Sequence, residues 1–182
     1  MTRAALNWET ATGRPDLLAQ PTDAALGRLT RVDTTAIRAC AIDPAIADTA
    51  TLVAESGYPL QQCANCVIVA GRRGGEERVA AVVVLASTRA DVNGVIRKLL
   101  NVRKLSFMAK DDAVIRTGME YGGVTPLGLP EGWPIYVDAA VAAAGVVMIG
   151  SGTRHGKLEL PGAVLATLPG VHVVDGLART CV

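Results

Sequence analysis

The chain has 182 residues, half of them hydrophobic, which is the size of one ordinary globular domain and enough to bury a substantial core. Eighteen Lys and Arg against seventeen Asp and Glu leave a formal charge of +1, so no global positive field is available to hold a long stretch of nucleic acid. Duplex DNA is therefore disfavoured as a partner, whereas binding one nucleic-acid end, which needs only a few phosphate contacts, stays open. With one Phe, two Trp and three Tyr, the core has to be built from Val, Ala and Leu.

The opening MTRAALNWET lacks the basic-then-apolar pattern of a signal peptide. No apolar run approaches the ~20 residues that span a bilayer. Residues 137 to 149 are apolar but short and interrupted by Asp138 and Gly145. These features predict a cytoplasmic protein with no membrane partner, whose four cysteines stay reduced.

Residues 1 to 34, with Pro15, Pro21 and scattered Thr and Asp, are expected to form an N-terminal extension. It holds one short helix at 24 to 29 capped by Thr22 or Asp23. Trp8 either pins this extension to the body or leaves it a mobile arm. A first strand is expected at 37 to 41, after which Asp43 and Pro44 supply the N-cap and first position of a helix ending at Gly57. The runs at 66 to 70 and 79 to 85, joined by GRRGGEER, predict a hairpin. Thr88 or Asp91 caps a helix through Leu100, a strand follows at 104 to 108, and Asp111 opens a short helix stopping at Gly118. Strands are expected at 135 to 137, 146 to 149 and 157 to 160, then a helix from Pro161 to Leu168 and a last strand at 171 to 174.

Hairpin-length and helical connections together predict a single α/β (α+β) domain with a central mixed, mostly antiparallel sheet flanked by helices. The glycine fingerprint of a dinucleotide-binding fold is absent after the first credible strand.

Between the helix at Gly118 and the strand at Ile135 lies TGMEYGGVTPLGLP. Its glycines permit backbone angles closed to other residues, while Pro126 and Pro130 stiffen it. Such a loop exposes backbone N–H groups to phosphate, ribose or carbonyl oxygen, or is simply a connecting turn. Arg116, Thr117 and Gly118 followed by GGVTPLG resemble the stretch by which YbaK-type aminoacyl-tRNA editing domains are recognised. The resemblance extends through the hairpin at 66 to 85, the helix ending at Leu100, the glycine turn GSGTRHG and the KLEL that follows, covering roughly 35 to 178.

The resemblance implies the mixed-sheet fold of the prolyl-tRNA synthetase associated domain, hydrolysis of an aminoacyl ester on mischarged tRNA, and no metal or other cofactor. Its partner would be the tRNA 3′ acceptor end, with an aminoacyl-tRNA synthetase as a further partner; monomer and homodimer are both open. It assigns catalysis to Asn65, Gly122 and Gly123. Substrate binding would fall to Arg116, Thr117, Val124, Thr125, Pro126, Gly150, Ser151 and Lys157.

Asn65 stands where family members usually carry a lysine, and Lys104 or Lys157 is a replacement from another strand. A tyrosine of some members falls at Cys40, an acidic residue at Lys157, and the serine of the second turn at Gly150, with Ser151 adjacent. An ammonium gives charge-assisted hydrogen bonds about twice as strong as neutral ones. Two functions follow: a trans-editing hydrolase, or a non-catalytic module that binds tRNA ends or nucleotides and has lost the lysine.

Other groups carry weaker signals. Cys63 and Cys66 form a CxxC, a redox pair or half a zinc site, with Cys40, His155, His172 and Cys181 too dispersed to complete a zinc signature. His155 is a solvated turn residue, a phosphate contact or a base. Arg97, Lys98, Arg103 and Lys104 form a basic patch that serves either solubility or the tRNA acceptor stem.

Overall fold

The computed structural model describes residues 6–30 and 32–180. Among these, the strands are β1 (Glu9–Thr10), β2 (Arg38–Ala41), β3 (Ala64–Arg73), β4 (Glu76–Leu85), β5 (Thr88–Ala90), β6 (Lys104–Phe107), β7 (Ile135–Asp138), β8 (Val147–Gly150), β9 (Gly156–Leu160), β10 (Val171–Val174) and β11 (Ala178–Thr180). The α-helices are α1 (Gln20–Gly27), α2 (Thr49–Ser56), α3 (Arg97–Leu99), α4 (Lys110–Thr117), α5 (Ala139–Ala142) and α6 (Gly162–Leu165). A wider helical turn, Val92–Ile96, leads directly into α3.

The hairpin β3–β4 is the spine of a five-stranded sheet ordered β10-β7-β4-β3-β6. The β3–β4 and β3–β6 pairs are antiparallel, whereas β4–β7 and β7–β10 are parallel. A second, wholly antiparallel sheet runs β1-β2-β9-β8, and β5 pairs with β11 in a two-stranded ribbon. The α/β domain is thus mixed and mostly antiparallel as expected, with its strands divided between two principal sheets. A parallel bridge from Cys63 to Met148 joins the two where β3 begins.

Side-chain alternation explains the layering. Val79, Ala81 and Val83 of β4 enter the main core between the sheets, with Ile68, Ile149, Leu158 and Val137. Ala80, Val82 and Val84 face a second cluster with Ile96, Leu100 and Leu177. Burial on both faces is why β4 is continuously apolar. The outer face of the four-stranded sheet carries a third cluster of Cys40, Met148, Cys63, Ala47 and Leu52.

Several elements differ from expectation. The single helix expected from Pro44 to Gly57 is two pieces. Asp43 caps a short turn, Pro44–Ile46, through Ala45 N–H (2.8 Å), and Asp48, in extended backbone, restarts the chain by capping α2. Gly57 ends α2 in the left-handed region, at φ 72°. Asp91, not Thr88, caps the following helical segment, accepting from Gly94 and Val95 N–H; Thr88 lies in β5. The last expected helix shrinks to α6. α1 begins at Gln20, so Thr22 is a buried residue inside it and Asp23 lies in its first turn.

Residues 6 to 30 pack onto the body. Ala11, Leu17, Leu18 and Leu26 are in the main core, and Trp8 lies 6.2 Å from the Tyr58 ring. Arg31, residues 1 to 5 and Cys181 lie outside the described residues. No helix among those described is long and apolar enough to cross a membrane.

Candidate functional site

Two glycine-bearing turns meet at one end of the four-stranded sheet. Gly152 N–H donates to Gly123 O (2.7 Å) and Glu120 N–H to Gly152 O (2.8 Å), locking the 118–130 loop onto the turn after β8. A Cβ on Gly123 would stand 2.4 Å from Thr153 O, and one on Gly150 2.2 Å from Gly123 O. Only glycine allows this approach. The Gly123 N–H is spent on Glu120 O (2.9 Å), whereas the N–H groups of Gly122 and Val124 find no acceptor among the described residues.

Arg154 braces the junction. Its guanidinium donates to Tyr121 O (3.1 Å) and Pro44 O (2.9 Å), and its N–H to the Glu120 carboxylate. Sequence reasoning gave this residue no role, although a cation inside a glycine-bounded turn was a signal.

Lys157 is the second cation. It faces Cys40 on β2 and Gly150 on β8, is only 6% exposed, and donates from Nζ to Ala47 O (3.0 Å). Burial pushes the ammonium below the ordinary lysine value, and Arg154 adds to the shift; Cys63, Cys40 and Asp48 act the other way. Lys104, the other lysine weighed as a replacement, is exposed on β6 opposite Arg72.

Asn65 reaches the same place from β3. Its Oδ1 accepts from Thr49 Oγ1 (3.0 Å), two residues beyond the carbonyl that holds Lys157. Asn65 and Gly150 also lie each two residues past the Cys63–Met148 bridge. The start of α2 therefore gathers Asn65, Lys157 and, through Pro44, Arg154 beside the glycine loop.

The remaining candidates fall into two groups. Val124, Thr125 and Pro126 continue the loop, with Thr125 and Pro126 buried as its support. The side chains of three others are engaged elsewhere. Arg116 pairs with Glu77 (2.8 Å) and lies over Trp133 (5.0 Å), on the side of the hairpin tip. Thr117 is buried, and its hydroxyl donates to Ala113 O (2.7 Å). Ser151 is fully buried, 3.1 Å from the Thr153 hydroxyl.

His155 Nε2 lies 3.0 Å from Asp16 O, against the N-terminal segment. Cys63 belongs to the outer cluster, while Cys66 packs against the main core. Burial pushes their thiols up to about 11 and about 12, so both stay protonated. No cluster of three or more His, Cys, Asp or Glu suited to a metal occurs among the described residues.

The arrangement brings two backbone N–H groups without an acceptor among the described residues, two cations and a neutral amide near the junction of the two glycine turns. That set suits an oxyanion, a phosphate or a polarised carbonyl.

Comparison with known proteins bears on the family and the fold. The sequence profile of the aminoacyl-tRNA editing domain matches residues 43–168. Among solved structures, a protein proposed as a trans-editing enzyme for prolyl tRNA synthetase superposes with a TM-score of 0.72 at 19% identity, covering 90% of this chain and 99% of that one. A protein designated APE2540 gives 0.69 at 22% identity, covering 79% and 91%. A designed epitope scaffold gives 0.72 at 19%, covering 90% and 100%. At these identities the structures attest the fold. No match was found among curated proteins.

Proposed function

Because the chain belongs to the family of aminoacyl-tRNA editing domains, we propose that it is a cytoplasmic trans-editing hydrolase cleaving the ester between a wrong amino acid and the 3′ end of a tRNA. Residues 35–178 form the editing domain and 1–34 an extension that supports it. The observation that carries the reading is Lys157, a buried ammonium beside the glycine loop, in a site where Asn65 replaces the lysine of the resembling family.

Water adds to the ester carbonyl, and the N–H groups of Gly122 and Val124 together with Lys157 stabilise the oxyanion. Collapse expels the ribose oxygen, which takes up the proton the water gives away, leaving a free amino acid and a tRNA hydroxyl. The neighbouring ribose hydroxyl and Asn65 orient the water, and placing water and ester together supplies much of the rate. Val124 forms one wall, backed by the buried Thr125 and Pro126, while Arg154 approaches the terminal phosphate.

A deacylation assay on a panel of mischarged tRNAs tests this. The native protein should hydrolyse at least one of them. Lys157→Met should lose about 10²- to 10³-fold in kcat, the range for removal of one oxyanion donor, while remaining folded. A second reading rests on the neutral amide of Asn65, which stabilises an oxyanion less than an ammonium does. Native protein inert on the whole panel, with hydrolysis appearing in Asn65→Lys, would establish a non-catalytic tRNA-end or nucleotide-binding module instead.

A further inference from the structure

The chain has six aromatic residues, and its one Phe is not in the core: Phe107, at the end of edge strand β6, is 58% exposed. Tyr121, adjoining Gly122, is 56% exposed, with the Lys110 ammonium 4.7 Å from its ring centroid. A cleft of about 580 Å³ containing Tyr121, Lys110 and Arg154 opens directly beside the glycine loop. Beyond Phe107, an open groove of about 860 Å³ is lined by Arg72, Arg97, Arg103 and Lys104. None of these four makes an ion pair among the described residues, and the one carboxylate of the groove, Glu77, is already held by Arg116. A chain of net charge +1 thus gathers four cations and a single carboxylate in one groove.

The features lie in order along one edge. Phe107 is opposite Val69, and Lys104 opposite Arg72, on β3, whose second residue is Asn65; alternation turns Phe107 to the face of the second cluster and Lys104 and Arg72 to the other, so they flank the open edge of β6 from its two sides. At ~3.3 Å per strand residue, they stand ~13 Å and ~23 Å from Asn65. Stacked nucleotides advance about 3.4 Å each, so Tyr121 stands at the reacting end, Phe107 comes level about four nucleotides on, and Lys104 and Arg72 about seven. Exposed aromatic rings followed by a basic groove are what a single strand leading into a duplex requires.

We propose that the β6–α4 edge is a docking track for the acceptor arm of tRNA, an inference that rests on the editing reading of the site. Tyr121 and Phe107 stack the unpaired 3′ bases, and Arg72, Arg97, Arg103 and Lys104 contact the phosphates of the stem that follows. The track reads no bases, so it holds any tRNA, and discrimination is left to the ester cleft.

The test is fluorescence anisotropy of labelled deacylated tRNA over a salt series, with variant folding checked by circular dichroism. The triple variant Arg97→Gln/Arg103→Gln/Lys104→Gln should bind at least about tenfold more weakly. Its slope of log affinity against log salt should be shallower by about two to three, close to one per phosphate contact. Phe107→Ser should weaken binding by roughly tenfold with the slope unchanged. Arg28→Gln, outside the lining of both the groove and the cleft, should bind as the native protein does. Unchanged affinity in either track variant, or an equal loss in Arg28→Gln, overturns the proposal. Hydrolysis of a 3′-aminoacyl-adenosine by the native protein, a substrate too short to reach the groove, tests the editing reading separately. Its absence beside track-dependent tRNA binding would refute the enzyme and keep the track.

Discussion

Lys157 shows how a residue's neighbours change what its type predicts. Charged, it is a buried cation with one carbonyl partner, and burial favours its neutral form. The sign follows from linkage. Between the lowered folded value and the ordinary 10.5, the unfolded chain binds more protons than the folded one, so stability rises with pH across that window. Deacylation should run the opposite way, falling as the ammonium is lost at a pH below the ordinary lysine range. Urea midpoints of native protein should therefore climb relative to Lys157→Met from neutral toward alkaline pH, while kcat, corrected for spontaneous ester hydrolysis, declines. A parallel response of both quantities in native protein and variant would remove Lys157 from the chemistry. Sequence periodicity left its orientation undetermined because Lys157 and Glu159 alternate with Leu158 and Leu160 as a solvated face would. In the fold that face is covered by the outer cluster and the start of α2.

At the scale of elements, the hairpin was plain in the sequence because two β-branched runs flank a polar, glycine-bearing connection. Gly74 and Gly75 take φ 61° and 89° with open space around each, so backbone conformation alone requires them. Gly75→Ala should cost about 1–2 kcal/mol, and Gly75→Asn distinctly less, since Asn tolerates the left-handed region better; thermal unfolding reads the difference. Other elements were not legible for physical reasons. Asp48 interrupts a continuous helical pattern by offering its carboxylate to Ala50 and Thr51 N–H. The ribbon strands TRA and ART carry no apolar alternation, and only their mutual pairing makes them strands. The glycine loop was legible as a candidate site, but Arg116 and Thr117, adjacent in sequence, were not separable from it. The end of α4 sends their side chains to Glu77 and Ala113 instead.

For the whole molecule, the N-terminal segment is a structural support of the site. Ala19 N–H donates to Ser151 O (3.1 Å) and Thr153 Oγ1 to Leu17 O (2.9 Å), so the second glycine turn is held from beneath. Leu17, Leu18 and Leu26 together bury enough apolar surface, at ~1.5–3 kcal/mol each, to rival a typical net stability of ~5–15 kcal/mol. Removing residues 1–30 should lower the melting temperature by roughly 10 °C or more, or leave the chain insoluble, and abolish deacylation with it. A truncated protein that melts and turns over as the full chain does would show the segment to be dispensable.

The pairing of β2 with β9 sets Arg38 against Glu159 and Cys40 against Lys157, residues separated by most of the polypeptide. Contacts that close such long loops are slow to form, because the entropy of closure is lost before any pairing repays it. During synthesis, Asn65 and the glycine loop emerge long before Lys157 does. The nascent chain therefore carries Asn65 and the glycine loop before Lys157 has been added, and the strand pairing that brings Lys157 beside them waits for the last quarter of the polypeptide.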